Sequence, residues 1–166
     1  DPGPGEWDGD LAQNIDMFWW ADDGDNVYEA DEATISGGVK SLLDLATTSG
    51  AFSVALADKT HNVGGTPGPI KAGTAFIAKA WCFGDLGTAP LSQNGYTGPD
   101  EPTNDGQNIN GPATPEDGGI TYTGASVIDN AAQTDKVMLD VSFDAVQSRN
   151  NESFACEELA GPPGPV

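Results

Sequence analysis

The alternation of apolar and polar residues along this chain predicts several short strands and one short helix. The clearest segment is 136–147, where Val137 begins a series of apolar residues at every second position and the residues between them are mainly polar. A period of two is typical of a strand with one face buried and the other in water. The same reasoning predicts strands at residues 14–21, 52–57, 74–83 and 120–127.

Two of these predicted strands carry apolar residues on both faces. In residues 14–21, Met17 lies on one face and Phe18 on the other, and residues 74–83 show the same property. Apolar residues on both faces are typical of a strand at the centre of a sheet. We therefore expect residues 74–83 to form a central strand that is covered on both sides.

A partial apolar stripe at Val39, Leu42 and Leu45 predicts one short helix at residues 36–48. The chain contains 22 Gly and 12 Pro among its 166 residues, which predicts many turns between short strands. The turn-rich stretches are an arm at residues 1–10, a long inserted loop at 88–128 and a tail at 157–166. These features favour a single domain over residues 1–166, folded as an all-β sandwich with one or two short helices.

The charge of the chain restricts its partners. There are 26 acidic and six basic residues, so the net charge is −20. A charge of this sign and size favours solubility and disfavours nucleic-acid partners. No apolar run approaches the roughly 18 residues that a membrane-spanning helix needs, so we expect no span. The acidic, lysine-poor and turn-rich composition favours an extracellular or cell-surface location.

The two cysteines, Cys82 and Cys156, have two interpretations. An extracellular location favours a disulfide between them. It would close a loop of about 75 residues and stabilise the fold by roughly 4 kcal/mol if it acts on the unfolded chain. The alternative is a pair of buried thiols. Two distant cysteines with one histidine do not make a zinc site.

Carboxylates are concentrated between residues 19 and 32, directly after an aromatic strand end. Carboxylates at this density repel one another unless a cation or water separates them. In the register of an EF-type calcium loop, Asp23 takes position 3, Asp25 position 5 and the Val27 carbonyl position 7. Glu32 then takes position 12, where such loops place a bidentate carboxylate.

The first position of this register falls on Ala21, which offers no side-chain oxygen, although Asp22 can substitute in a loop one residue shorter. Asn26 takes the turn position, because Asn tolerates the left-handed region. Glu29 and Asp31 are reserve ligands. The loop therefore predicts a structural Ca²⁺ site, and its alternatives are a solvated acidic turn and a catalytic site. The predicted ligands are Asp22, Asp23, Asp25, Val27, Glu29 and Glu32.

The remaining motifs give little support for an enzyme. The chain has no HExxH, GxSxG or Walker motif, and no GxGxxG motif follows a strand, so we expect a non-enzymatic protein. Asn151 begins an Asn-Glu-Ser sequon and is a candidate N-glycosylation site. Exposed tryptophans would favour a glycan-binding surface module, but Trp19 and Trp81 lie in predicted strands, where core packing is the more common role.

The motifs occur in a characteristic order along the chain. An amide-rich segment (residues 11–14) leads into the aromatic strand and acidic loop, followed by a Leu-Leu helix and the sequence GTAFIAKAWCF at 73–83. The most specific part joins Gln-Thr-Asp at 133–135 to Gln147, Arg149 and Asn150. This order resembles the TasA/camelysin-type family, whose members are exported with SipW-dependent signal peptides. The resemblance covers residues 10–87 and 129–156, with the loop 88–128 as an insertion.

This resemblance implies a jelly-roll β-sandwich on the cell surface. Several members of the family polymerise into extracellular fibres, in which an N-terminal strand of one subunit completes the sheet of the next. We therefore expect a homopolymeric filament subunit. A secreted calcium-dependent camelysin-type protease and a glycan-binding module are the alternatives. This chain opens on an Asp-Pro-Gly arm where the family has its donor segment, so either that segment lies outside this chain or another arm joins the subunits.

Overall fold

The computed structural model describes residues 10–47, 52–91, 118–124 and 135–156. The strands are β1 (Ile15–Asp22), β2 (Lys40–Ser41), β3 (Phe76–Thr88) and β4 (Ile120–Gly124). They form one antiparallel sheet in the order β2-β1-β3-β4. A 3-10 helix (Asp10–Asn14) precedes β1, and the six-residue helix α1 (Leu42–Thr47) follows β2. The predicted all-β class is confirmed, because an antiparallel sheet dominates the regular structure of the described residues.

The centre of the fold is the pairing of β1 with β3. Phe18 lies opposite Ala80 and Trp20 lies opposite Ala78, so small residues on β3 leave room for large rings on β1. On this face Phe18 and Trp20 pack with Tyr28 and are buried. The rings of Phe18 and Trp20 stack with centroids 5.4 Å apart, and the ring edge of Tyr28 meets Phe18 at 4.8 Å. Burial of these aromatic side chains is a major source of stability.

The opposite face of β1 is covered by α1. Met17 packs there against Leu42 and Leu45, and Phe52 and Val137 contact the same cluster. Both faces of β1 are therefore covered, and both are apolar, as the sequence pattern indicated. This packing also fixes one end of residues 136–147 to the sheet, because Val137 is part of it.

The matching face of β3 is open to solvent. Ile77, Trp81 and Phe83 lie at alternating positions of β3 and are all exposed, Trp81 by 62%. We call these three residues the β3 strip. The prediction of a central strand was correct, since β3 lies between β1 and β4. The prediction that both of its faces are covered was wrong, because α1 packs over β1.

The predicted helix at residues 36–48 begins later than the pattern indicated. Gly37 and Gly38 have φ angles of 67° and 114°, in a region that a right-handed helix does not use. The chain then adds β2 and enters α1 only at Leu42. Ser41 accepts a hydrogen bond from the Asp44 N–H at 3.0 Å, which caps the helix.

Residues 52–57 do not form the predicted strand. Within the described residues their regular pairing is limited to a bridge between Ala57 and Asn62. The neighbouring turn is organised by Asp58, whose Oδ1 accepts the Thr60 N–H at 2.7 Å and whose Oδ2 accepts the Cys156 N–H at 3.0 Å. These hydrogen bonds lower the pKa of Asp58, that from Cys156 most strongly. The carboxylate therefore ties the end of the described chain to this turn.

The clearest predicted strand, residues 136–147, is not paired with any strand in the part of the chain that the structure describes. We call it the C-terminal segment. Its apolar side chains beyond Val137 are exposed, including Val141 by 63% and Phe143 by 68%. Its beginning is held by a hydrogen bond from the Leu11 N–H to Oδ2 of Asp135, at 3.2 Å. The strand prediction was wrong for the chain in this structure, because no other described strand lies beside the segment.

Cys82 and Cys156 are free thiols in the structure, so the predicted disulfide between them is not formed. Cys82 lies within β3 with its sulfur 3.4 Å from the Gly84 carbonyl oxygen, and the Cys156 sulfur lies 3.6 Å from the Ala57 carbonyl oxygen. Burial is the main cause that raises the pKa of both thiols, and nearby carboxylates raise it further. Both cysteines therefore stay protonated and weakly nucleophilic at neutral pH.

The predicted weak strand at 120–127 is confirmed over β4, and its last three residues lie outside the described residues. The predicted long loop begins where β3 ends at Thr88, and most of it also lies outside the described part of the chain. The same is true of nearly all of the arm at 1–10 and of the tail at 157–166.

Candidate metal site in the acidic loop

The acidic loop leaves β1 through a turn that its own side chains stabilise. Gly24 has a φ of 124° and Asn26 a φ of 64°, so Asn26 occupies the left-handed turn position that the sequence predicted. Asp22 accepts the Gly24 N–H at 2.9 Å and the Asn26 N–H at 3.0 Å. A carboxylate that bonds backbone groups two to four residues ahead is a common way to hold a turn.

The backbone of the loop is fixed to two other parts of the chain. The Tyr28 N–H donates to the Gly118 carbonyl at 2.8 Å, and the Leu91 N–H donates to the Tyr28 carbonyl at 3.0 Å. Gly119 has a φ of 76°, and a Cβ there would overlap the Tyr28 carbonyl oxygen. Both the backbone angle and the close approach therefore require glycine at this position.

The Val27 carbonyl, one of the predicted calcium ligands, has another partner. The indole N–H of Trp20 donates to it at 3.2 Å inside the core. The Val27 side chain is fully buried beside this bond. The strand end and the loop are thus joined by one buried hydrogen bond, which the sequence pattern did not indicate.

Three of the predicted ligands meet in space. Asp23, Asp25 and Glu29 each offer a carboxylate oxygen, and these oxygens lie within 4.8 Å of one another. Glu29 is only 1% exposed and Asp25 is 8% exposed. Oδ1 of Asp25 accepts the Val27 N–H at 2.8 Å, while its buried Oδ2 accepts no hydrogen bond. Like charges this close repel one another unless a cation lies between them, and Asp23 is the exposed member of the three.

Glu32 closes the loop instead of pointing into this triad. Its Oε1 accepts the Asp23 N–H and its Oε2 accepts the Glu29 N–H, both at 3.0 Å. Asp23 and Glu29 both belong to the triad, so these two hydrogen bonds from their backbone N–H groups hold the two residues at a fixed separation. Burial raises the pKa of Glu32 to about 7, with further contributions from Asp22 and Glu29, although the two hydrogen bonds oppose the shift.

The structure therefore divides the six predicted ligands into two groups. Asp23, Asp25 and Glu29 form a carboxylate triad suited to a hard cation such as Ca²⁺, which prefers oxygen ligands. The other three, Asp22, the Val27 carbonyl and Glu32, shape the loop through hydrogen bonds. Asp31, the second reserve ligand, is exposed. Sequence spacing placed Glu29 only in reserve. The signal that Glu29 is central is its burial, which follows from the bridge between Glu29 and Leu91.

The raised pKa of Glu32 leads to a prediction about pH. In calcium-free buffer we expect the free energy of unfolding to fall as pH rises from about 4.5 to about 7. The folded protein holds the Glu32 proton up to a pKa of about 7, whereas the ordinary value is 4.5, so the folded state binds more protons across this window. Urea midpoints measured at pH 5, 6 and 7 test this.

Two variants separate Glu32 from the other carboxylates. Glu32→Gln is expected to remove the contribution of Glu32 to the slope of unfolding free energy against pH. It also lowers stability at every pH, because it replaces one of the two acceptor oxygens. Asp31→Asn, in the exposed part of the same loop, is expected to keep the wild-type slope. A Glu32→Gln protein with an unchanged slope would show that another group titrates.

The predicted glycosylation site lies in an exposed turn. Asn151 donates from its side-chain amide to the Gln147 carbonyl at 2.7 Å, and its N–H donates to the Ser148 carbonyl. Asn150 before it has a φ of 66°. The sequon is therefore on the surface next to the end of the C-terminal segment, and its use stays a prediction.

Comparison with known proteins finds no matching family model, no matching curated protein and no matching solved structure. The resemblance to the TasA/camelysin-type family and the functions it implies therefore stay predictions. Among the described residues, no helix is long and apolar enough to cross a membrane.

Proposed function

We propose that this protein is a non-enzymatic structural subunit of an extracellular filament, in which neighbouring copies join by β-strand complementation. In such an assembly an extended segment of one subunit lies against the sheet of the next and supplies the apolar side chains and hydrogen bonds that one subunit lacks. The complete fold is then a jelly-roll-like sandwich formed with the help of a neighbour, in line with the resemblance to the TasA/camelysin-type family.

The observation that carries this proposal is the C-terminal segment. It has the strongest strand pattern in the chain, yet no described strand pairs with it, and Val141 and Phe143 are exposed. Contiguous apolar surface on a soluble protein is typical of an interaction site. A sequence that alternates like a half-buried strand needs a surface to bury its apolar side, and a second copy provides one.

The acidic loop contributes to the same function by binding Ca²⁺ as a structural ion. Asp23, Asp25 and Glu29 supply the carboxylate oxygens, and Glu32 holds the loop closed around them. A bound cation offsets the repulsion inside the triad and reduces the magnitude of the net charge of −20. Lower charge favours close packing of subunits, which otherwise repel one another.

Electron microscopy of the purified protein tests the filament. In millimolar calcium and high salt we expect negatively stained samples to show uniform fibres and most of the protein to sediment. High salt favours assembly because it screens the repulsion between acidic subunits. Monodisperse monomers under these conditions would contradict the proposal.

Magnesium chloride at the same ionic strength is the matched control for the role of calcium. Mg²⁺ screens charge equally well but demands a smaller octahedral site and keeps its waters. We expect fibres to form at lower protein concentration with calcium than with magnesium. Equal assembly in both salts would leave the filament intact and remove the specific role of Ca²⁺.

A further inference from the structure

We infer that the β3 strip of one copy is the docking site for the C-terminal segment of the next copy. The residues that dock are Leu139, Val141 and Phe143. The inference rests on the proposed filament function and adds to it one face-to-face contact between copies. Because β3 is already paired on both edges, with β1 and with β4, the segment packs its side chains on the strip and adds no backbone hydrogen bonds to β3.

The acceptor surface has the form of an unfinished core. The side chains of Ile77, Trp81 and Phe83 alternate along β3, on the face where Met17 of β1 is covered by α1. Trp81 lies directly opposite Met17, so the covered and uncovered halves of this face are adjacent. Within the described residues nothing extends the cover from β1 onto β3, and the strip is exposed.

The donor segment matches this surface in spacing. Leu139, Val141 and Phe143 occur at every second position, and so do Trp81 and Phe83 on the strip. In an extended chain, alternate side chains lie about 6.6 Å apart on one side, so the two rows are commensurate. The side chains of two packed sheets interdigitate in this manner in β-sandwiches.

The exposed apolar area of strip and segment is a large part of what a specific contact needs. If a full aromatic side chain offers 150–250 Å², the six side chains of strip and segment leave on the order of 600 Å² of apolar surface exposed. A standard interface buries about 1,600 Å² in total, of which slightly more than half is apolar. These six side chains therefore supply roughly two thirds of the apolar area that a specific interface needs.

Charge also favours the pairing. Lys79 lies between Ile77 and Trp81 on β3 and is exposed, in a chain with only six basic residues. The segment carries Asp140 and Asp144 at its even positions, on the side of the extended chain that faces away from the strip. Their charge attracts Lys79 at long range and accelerates association, without a direct ion pair.

A second copy is the occupant because the segment starts beside the strip of its own molecule and nevertheless leaves that strip exposed. Val137 packs with Met17 and α1, and Asp135 holds the Leu11 N–H, while the positions that follow are exposed. Each copy therefore presents one donor and one acceptor. Such a head-to-tail contact generates an open filament when the rotation between copies does not close a ring.

A mixing experiment with two full-length variants tests the pairing. Trp81→Glu damages the acceptor and leaves the donor intact, and Phe143→Glu does the reverse. Both side chains are exposed, so we expect both variants to fold, with wild-type near-ultraviolet circular dichroism from the buried aromatic cluster. In millimolar calcium and high salt, the sedimenting fraction of each variant alone should be at least tenfold smaller than that of the wild type.

The equimolar mixture should form 1:1 dimers by analytical ultracentrifugation, because one good donor then meets one good acceptor and growth stops. Trp81→Ser and Phe143→Ser form a milder pair that serves if a glutamate variant misfolds. Met138→Glu is the matched control, because it adds the same charge on the other side of the segment, where the side chain is 78% exposed. It should assemble like the wild type.

Fibres from either glutamate variant alone would overturn this inference and leave the filament proposal standing, as would a mixture that stays monomeric while the wild type forms fibres. A wild type that forms no fibres would overturn both. A monomeric wild type in which Phe143→Glu increases the exposure of Trp81 would show instead that the segment closes on its own strip.

Discussion

Trp20→Ala is expected to lower the free energy of unfolding by about 3–5 kcal/mol, the range for an aromatic side chain removed from a core. Trp20 is 2% exposed and stacks on Phe18, and its ring centroid lies 5.7 Å from that of Tyr28. Its indole also joins β1 to the acidic loop through the Val27 carbonyl. Alanine would leave a cavity and a buried carbonyl without its donor.

Urea unfolding of the monomer in low salt measures this effect. Trp20→Phe keeps most of the ring but removes the indole N–H, and it should cost about 1–3 kcal/mol because the Val27 carbonyl loses its hydrogen bond. Trp81→Ala is the matched control, since it removes an exposed tryptophan from the same sheet and should change monomer stability by less than about 0.5 kcal/mol. Similar losses for Trp20→Ala and Trp81→Ala would contradict the assignment of Trp20 to the core.

Glu29→Gln is expected to be more stable than the wild type without calcium and less stable than the wild type when calcium is added. Glu29 is almost fully buried, and its carboxylate lies within 4.8 Å of the carboxylate oxygens of Asp23 and Asp25. In calcium-free buffer the neutral amide removes like-charge repulsion, so the variant should be more stable than the wild type by about 1–2 kcal/mol. With calcium at 100 times its dissociation constant, the wild type should gain about 2.7 kcal/mol, and the variant should gain little.

Thermal melts with and without calcium measure the reversal, and calorimetric titration measures the binding itself. Asp31→Asn is the matched control, because it removes one charge from the exposed part of the same loop and should keep the full calcium response. A Glu29→Gln protein that calcium stabilises as much as the wild type would exclude the triad as the binding site.

The strands at the centre of the fold could be predicted from the sequence because their pattern reflects their burial. β1 is apolar on both faces, and both faces are covered, by Tyr28 on one side and by Leu42 and Leu45 on the other. The central position of β3 in the sheet was predicted for the same reason. Its exposed strip was not, because periodicity shows which side chains need cover and does not show whether one copy of the chain provides it.

The acidic loop likewise has some features that the sequence predicted and others that only contacts between distant segments determine. The spacing of its residues predicted a cation site and a left-handed Asn26, and this conformation is confirmed. An EF-type register nevertheless ranked Glu32 above Glu29, since it counts positions along the chain. The hydrogen bonds from Asp23 and Glu29 to Glu32, and the burial of Glu29 beside Leu91, depend on contacts between distant segments.

Local patterns in the sequence were therefore sufficient for the all-β class, the two central strands and the concentration of carboxylates, because each depends on neighbours along the chain. Tertiary structure decided which carboxylates meet, where α1 begins and that Cys82 and Cys156 remain apart. It also left residues 136–147 without a partner among the described strands, despite the strongest strand pattern in the chain. The physical reason is that a strand needs a partner for its backbone and a surface for its apolar side, and the sequence of the segment specifies neither.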